Sequence, residues 1–473
     1  MLPFEEVAVI DKNAEYRGVP PKKLMENAGR KLADVISEKF SERPVLFICG
    51  TGNNGGDAYV AARYLRKRWE KADIMIYLIK SRDDIRSDIA KENFKEFKGE
   101  TIEKLKWSDV DSDTIIVDAM LGTGIKGEIR EPYRSVIRKI NESENPVVSV
   151  DVPSGLGSDI QVNPQLTVTF HDAKEGMFVE NSGQIEVVDI GIPEKALTHT
   201  GPGEMLLYPR SPQDSHKGEN GRLLIVGGGP YTGAPALAAM AAYRTGVDLV
   251  HLAVPSSIME IVSSYSPNFL VHPLEGNVLR DIHIEEILSL SKKCDSVIIG
   301  PGLGDNKETM KAVQELINEI EIPMLIDADA LKAVKSGKIE FSTPTILTPH
   351  RGEFEMLMDE ELEEKRLDKN ADEFAKNNSL VLVVKGKKDY ITDGDNYKWN
   401  DFGNQGMTVG GTGDTLSGVI GALMSKGMNV FNASRVGTYI TCRAGDKAFD
   451  EVKWGLIPED IIEKVPTLFK DLS

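Results

Sequence analysis

The sequence predicts an α/β protein of two domains in series, each a three-layer arrangement of a parallel sheet with helices on both faces. Three observations lead there. The chain has 473 residues, too many for one ordinary core. Short runs of aliphatic and β-branched residues alternate with helical stretches, the pattern of a parallel sheet covered on both faces. The alternation stops at 191–203, a stretch of turn formers with little periodicity, and then restarts. The boundary is therefore placed between 202 and 203, giving domains 1–202 and 203–473.

The elements follow in order. Over 21–40, Leu24, Met25, Ala28, Leu32, Val35, Ile36 and Phe40 share one helical face, and Pro21 suits a helix start. Strands are expected at 45–49, 74–79, 114–117, 147–150 and 166–170, with helices at 58–68 and 133–141 among them. After the break, strands are expected at 223–226, 249–254, 297–299, 324–326, 345–347 and 381–384. Helices are expected at 235–244, 307–320, 371–377, 415–425 and 433–449.

Composition narrows the function classes. The chain is 41% apolar and 27% charged, which is globular. A net charge of −18 argues against a nucleic-acid partner, which needs clustered cations. Cys49, Cys294 and Cys442 lie far apart and offer neither zinc spacing nor a disulfide framework, as suits a reducing cytosol. The N-terminus MLPFEEVAVIDKNAEYRG has early acids and is not a signal peptide, and apolar runs such as 380–384 are too short to span a bilayer. A cytoplasmic protein without a membrane partner is expected.

Three strand ends in the first domain carry polar, glycine-rich segments. Strand 45–49 runs into Gly50, Thr51, Gly52, Asn53, Asn54, Gly55, Gly56 and Asp57, with a helix following. Such a turn aims backbone N–H groups at an anion. It is not GxGxxG, and a tight turn alone explains the glycines; Asn53, Asn54 and Asp57 tip the reading toward a site. Asp118 and Asp151 end two further strands, each before a flexible segment. Either acid alone would suit a helix cap, but three such ends on one sheet point to a shared site outside the carboxyl ends. Their oxygens also suit a hard cation.

GTGNNGGDAYVAARYL, DAMLGTGIKGEIREPY, DVPSGL and TFHDAKEG together resemble the NAD(P)H-hydrate epimerase family. The resemblance implies a Rossmann-like fold, interconversion of R and S hydrates of NADH and NADPH, and a potassium ion at the site. Carried over, hydrate contacts fall on Asn53, Asn54, Gly55, Gly56, Asp57, Gly122, Thr123, Gly124, Ile125, Lys126, Gly127, Glu128, Tyr133 and Asp151. Potassium ligands fall on Asn54, Asp118 and Ser154, and Asp151 and Lys174 are the candidate acid–base groups. Epimerising a carbon that bears hydroxyl and nitrogen needs reversible loss of the hydroxyl or ring opening, and both need a proton shuttle. Ala58 stands where the family has glycine, which is expected to narrow the loop.

In the second domain, GNQGMTVGGTGDTLSG leads into an apolar helix, so free N–H groups and the helix dipole converge on one point. That is an anion hole for a transferring phosphoryl group. Asp414, at the helix start, can take a proton from an attacking hydroxyl. The alternative is that Asp414 only caps the helix. The glycine density exceeds what capping needs.

SHKG, IGPGLG, DADAL, TPHRGEF, VVKG and that segment occur in order and resemble the ADP- or ATP-dependent NAD(P)H-hydrate dehydratase family, which is ribokinase-like. Hydrate contacts then fall on Ala234, Gly302, His350 and Asp414. Nucleotide contacts fall on Lys385, Gly386, Lys387, Lys388 and Asp389, and on Asn404, Gln405, Gly406, Met407, Thr408, Val409, Gly410, Gly411, Thr412 and Gly413. Magnesium is implied with ADP or ATP, ADP being favoured, and a homo-oligomer is common for the fold family. Asn220-Gly221-Arg222 after SHKG and Thr408 depart from the family pattern. Together the resemblances imply a bifunctional repair enzyme for hydrated nicotinamide nucleotides. The rival readings are a vitamin-alcohol kinase fused to a nucleotide-sensing domain, and a first domain that only binds.

Overall fold

The computed structural model describes residues 1–124, 127–336 and 339–470. The chain divides into two units, Met1–Leu197 and Thr198–Ser473. Residues 198–202, counted with the first domain on sequence, fall in the second unit. There Thr200 donates its N–H to the Trp399 carbonyl (2.8 Å) and its hydroxyl to Asn400 Oδ1 (2.7 Å), and His199 bridges Trp399 in parallel.

The first unit contains β1 (Val45–Cys49), β2 (Ile74–Leu78), β3 (Glu100–Ile102), β4 (Ile115–Ala119), β5 (Val147–Val150), β6 (Leu166–Phe170) and β7 (Gln184–Val188). They form one sheet in the order β3-β2-β1-β4-β5-β6-β7, with every pairing parallel. β1, β4 and β6 are buried at every residue, which is why they read as unbroken apolar runs. Successive side chains leave opposite faces. Val45, Phe47 and Cys49 join the core beneath helices Pro21–Lys39 and Asn53–Arg68, while Leu46 and Ile48 join the one beneath helix Tyr133–Glu142.

The second unit contains β8 (Arg222–Val226), β9 (Leu249–Pro255), β10 (Leu270–Leu274), β11 (Ser296–Ile299), β12 (Met324–Ile326), β13 (Thr345–Leu347), β14 (Val381–Val384), β15 (Asp389–Thr392) and β16 (Tyr397–Asn400), in the sheet order β10-β9-β8-β11-β12-β13-β14-β15-β16. The expected parallel pairing holds from β10 to β14, but β15 and β16 pair antiparallel. Short turns join β14, β15 and β16, too short for the helical crossover that parallel pairing needs. Among the described residues, no helix is long and apolar enough to cross a membrane.

Each sheet has one point where strand order reverses, β1/β4 in the first and β8/β11 in the second. Loops leaving the two strands there part in opposite directions and open a crevice. The loops first cross very closely. A Cβ on Gly50 would lie 1.9 Å from the Met120 carbonyl oxygen, and one on Gly227 would lie 2.5 Å from that of Pro301.

Two helix starts at the sites come earlier than expected. Helix Asn53–Arg68 begins five residues earlier than the periodicity predicts, so the glycine-rich segment is its first turn. Ala58 therefore lies fully buried inside the helix and does not narrow a loop. Helix Thr412–Ser425 likewise takes in Asp414. Its Gly418 packs against helix Gly233–Arg244, where a Cβ would meet the Ala238 carbonyl oxygen at 2.1 Å. Gly418→Ala is expected to push these helices apart and lower stability by roughly 1–3 kcal/mol, read as a lower denaturation midpoint.

Candidate active sites

The first site lies at the β1/β4 reversal, in a cavity of about 650 Å³. Gly52 occupies the N-cap of helix Asn53–Arg68 without a side-chain cap, so the first-turn N–H groups are open to the cavity wall formed by Thr51, Gly52, Asn53 and Asn54. Gly122, Thr123, Gly124 and Tyr133 line the same cavity. Ile125 and Lys126 lie outside the described residues. Gly55 and Gly56 face inward, toward the Gly50 carbonyl and the Met25 side chain. Gly127 has open space around its α-carbon, and Glu128 is turned to Arg134 at 3.9 Å; neither lines the cavity.

Beneath the cavity floor sits Asp118, fully buried. Its carboxylate accepts from Ser149 Oγ (2.8 Å), Ser154 N (2.8 Å), Ser154 Oγ (2.5 Å) and Met120 N (3.3 Å). Burial raises its pKa, and these hydrogen bonds only partly oppose that. Neither Asp118 nor Asp151 caps a helix. Asn54 donates from Nδ2 to the Leu121 carbonyl (3.3 Å), while its Oδ1 is buried with no hydrogen-bond partner.

Asp151 follows β5 with a left-handed φ of 61°. Its Oδ1 accepts from Phe170 N (3.2 Å), Thr169 Oγ1 (3.3 Å) and the Lys174 ammonium. Lys174 is buried and also donates to Thr169 Oγ1 (3.0 Å) and the Phe170 carbonyl (2.8 Å). Two more carboxyls belong to this cluster. Asp57 is pushed well above the usual carboxylate range by burial, then by Asp151 and Asp11, with Lys174 opposing. Asp11 is raised to about 6 by burial and Asp151, again against Lys174. Asp11 and Asp57 are thus drawn toward their protonated forms beside the Asp151–Lys174 pair.

Asp11, Lys80 and Arg86 line this cavity but stand in no glycine-rich motif. Asp11 comes from helix Phe4–Tyr16, whose start is tied beside Lys174 by a Leu2–Lys174 bridge. Its sequence signal was a lone acid in an N-terminal helix, which marks nothing by itself.

The second site gathers at the β8/β11 reversal and the neighbouring strand ends. Gly411, with φ 98°, holds the N-cap of helix Thr412–Ser425, leaving Asp414 as the third helical residue. Asp414 therefore does not cap the helix. Its pKa is raised to about 7 by burial and by Asp327, with Lys385 opposing. Asp327, at the end of β12, accepts from Lys385 Nζ (2.9 Å) and Ser417 Oγ (2.5 Å). Burial works against that carboxylate, but Lys385 and the hydrogen bonds outweigh it and hold its pKa below the usual value. Lys385 Nζ lies 3.4 Å from where a Cβ on Gly413 would stand, so its charge borders the open helix start.

The other expected residues distribute around this centre. Lys385 N donates to the Pro349 carbonyl (2.8 Å), placing the 385–389 turn beside His350. Gly386, Lys387 and Lys388 are exposed on that turn. Asp389 is buried and accepts from Gly386 N (3.1 Å) and Asn400 Nδ2 (3.0 Å), so it shapes the turn from within. His350 is exposed; its Nδ1 accepts from Glu353 N (3.1 Å) and caps helix Arg351–Met358. Asn404 caps the short turn Gln405–Thr408, Met407 and Val409 pack on the core, and Gln405, Thr408 and Gly410 face solvent. Gly406 packs against Phe449, and Thr412 Oγ1 donates to the Met407 carbonyl (2.9 Å). Gly302 is left-handed and its α-carbon faces Ala234. Beside them opens a cavity of about 620 Å³ bordered by Gly229, Tyr231, Gly304 and Asp329; none of the four expected hydrate residues lines it.

Residues 21–176 match the family described as YjeF-related protein N-terminus, and residues 223–467 match the NAD(P)H-hydrate dehydratase family. The bifunctional NAD(P)H-hydrate repair enzyme of Archaeoglobus fulgidus is 38% identical over 471 residues, covering 98% of this chain and 97% of that one. The chain belongs to the bifunctional NAD(P)H-hydrate repair enzyme family. The Methanothermobacter thermautotrophicus member is also 38% identical, over 98% of this chain and 94% of its own. Among solved structures, the ADP/ATP-dependent NAD(P)H-hydrate dehydratase from Bacillus subtilis, co-crystallised with ATP/Mg2+, superposes with a TM-score of 0.52 at 24% identity. It covers 59% of this chain and 99% of that one, and the second unit of this repair enzyme shares its fold.

In the first unit of the repair enzyme, Lys174 pairs with the carboxylate of Asp151 and offsets the charge of Asp11 and Asp57. Lys174→Met is expected to cost roughly 3–5 kcal/mol, because it leaves a buried carboxylate unpaired. The double variant Asp151→Asn/Lys174→Met should recover part of that loss in a denaturation titration.

Proposed function

We propose that the first unit interconverts the R and S hydrates of NADH and NADPH, and that the second dehydrates the S form with ADP, giving NAD(P)H, AMP and phosphate. The observation that carries this is Asp414: a carboxyl raised to about 7, in the first turn of an uncapped helix, with Lys385 beside it. Asp414 takes the proton of the ring hydroxyl, whose oxygen attacks the terminal phosphoryl group of ADP, and AMP leaves. The ring-nitrogen lone pair then expels the phosphate, and loss of a proton from the adjacent carbon re-forms the dihydropyridine. Lys385 and the first-turn N–H groups of Gly413 and its neighbours hold the phosphoryl oxygens. Ala234, Gly302 and His350 are assigned to the hydrate.

In the first unit, Asp151 with Lys174 is assigned proton transfer at the hydroxyl-bearing carbon, with the open helix start at Asn53 and Asn54 assigned to the hydrate. Potassium fits the floor of that site. Asn54 Oδ1 lacks a partner, and Asp118 is a buried carboxylate facing only neutral donors. With Asn54, Asp118 and Ser154 as its holders, the ion would supply the missing positive charge. Magnesium is assigned to the nucleotide phosphates.

Hydrated NADH supplied with ADP should regain the absorbance of the reduced nicotinamide; a parallel assay with ATP ranks the donors. Absence of recovery with either would return the vitamin-alcohol kinase reading. Asp414→Asn is expected to abolish dehydration and leave R/S epimerisation intact. Because the base acts ionised, the dehydration rate should rise with pH through about 7 and level off above it.

A further inference from the structure

The cavity of the first unit is electrically divided across the sheet. Over β5 and β6 stand Asp151 and Lys174, with Asp11 beside them and Asp57 on helix Asn53–Arg68, past its first turn. On the far side of the strand-order reversal, Lys80 follows β2 and Arg86 follows in the same connection, and both line the cavity. The open start of helix Asn53–Arg68 lies between the two ends.

The cationic end is held in place. Arg86 N donates to the Thr51 carbonyl (3.0 Å), tying it to the β1 loop. Lys80 Nζ lies 6.0 Å from the centre of the Tyr133 ring. Burial raises the pKa of Tyr133, and the neighbouring Thr51 side chain and Arg86 charge oppose it. Of the two carboxylates between these cations in sequence, Asp84 is spent on Ser81, accepting from its N (3.1 Å) and Oγ (3.0 Å), and Asp83 is exposed. Neither Lys80 nor Arg86 forms an ion pair among the described residues. In a chain with 74 acidic and 56 basic residues, two unpaired cations on one cavity wall are charges left open for an anion.

We propose that Lys80 and Arg86 form a phosphate-recognition subsite that fixes which end of the dinucleotide hydrate enters the epimerisation cavity. This rests on the epimerase reading of that cavity. The phosphates of a dinucleotide are repelled by the acids and attracted by Lys80 and Arg86, so the nicotinamide ring is delivered to the Asp151 end. The ligand chemistry is a phosphate, supplied by the pyrophosphate of either hydrate or by the additional 2′-phosphate of the NADPH form. Both residues are positioning residues, acting on binding and not on the reacting carbon.

The test is steady-state epimerisation by the full chain carrying Lys80→Ala, Arg86→Ala or both, with dehydration in the same preparations as a check on integrity. Each single variant should raise KM for hydrate about tenfold, the loss of one charge-assisted phosphate contact, with kcat within about twofold. The double variant should also lose the salt dependence of KM, and Lys80→Arg should restore the unsubstituted value. Equal shifts for NADH and NADPH hydrates identify the pyrophosphate; a larger shift for NADPH hydrate identifies the 2′-phosphate. An unchanged KM in the double variant, or a fall in kcat at constant KM, overturns the subsite. If the unsubstituted chain does not epimerise, the epimerase reading itself fails. The subsite is then judged by calorimetry with inorganic pyrophosphate: a binding component lost in the double variant upholds it, and identical isotherms overturn it.

Discussion

Both active centres depend on one steric condition, the passage of backbone against backbone where each sheet reverses its strand order. At Gly50 and Met120, and again at Gly227 and Pro301, a loop leaving one strand crosses the loop of its neighbour with no room for a side chain between them. Gly300 repeats the device against Asp327, where a Cβ would lie 1.8 Å from the carbonyl oxygen. These crossings set the distance between strand ends, and the reactive groups described above, apart from Asp11 on helix Phe4–Tyr16, hang from a strand end or from a helix that comes after one. The chemistry is thus registered to a rigid parallel sheet and not to the loops that carry it.

The two centres share this frame and differ in how charge is distributed on it. In the second unit a buried pair, Lys385 with Asp327, is closed by Ser417, and a single further carboxyl, Asp414, feels both members. Asp327 raises Asp414 while Lys385 restrains it, so the pair tunes the base without touching it. In the first unit Lys174 pairs with Asp151, and two further carboxyls, Asp11 and Asp57, are raised by burial and by Asp151, with Lys174 opposing. A base that must accept one proton at a defined moment suits the first arrangement. A reversible exchange of R and S forms, in which protons travel both ways, suits the second.

Much of this was legible in the residues. Strands buried on both faces announce themselves as apolar runs, and glycines forced by close crossings stand out as motifs, so β1, β4, β8, β11 and the segments after them were found. The start of helix Asn53–Arg68 was not, because Asn and Gly are weak helix formers and tertiary packing of Gly55 and Gly56 overrides them. The antiparallel pair β15–β16 is not legible, because four-residue strands carry little period. Asp11, Lys80 and Arg86 are invisible for another reason. Each is an ordinary residue in an ordinary helix or turn, and only the assembled cavity gives it meaning.

The linker end of the second unit has a protective consequence. β16 is the last strand of a nine-stranded sheet, and a free strand edge is an open template for pairing with another molecule. His199 and Thr200 lie along it, bridging Trp399 and bonding Asn400. The residues that open the second unit thus serve as its selvedge, binding off an edge that would otherwise invite a foreign strand.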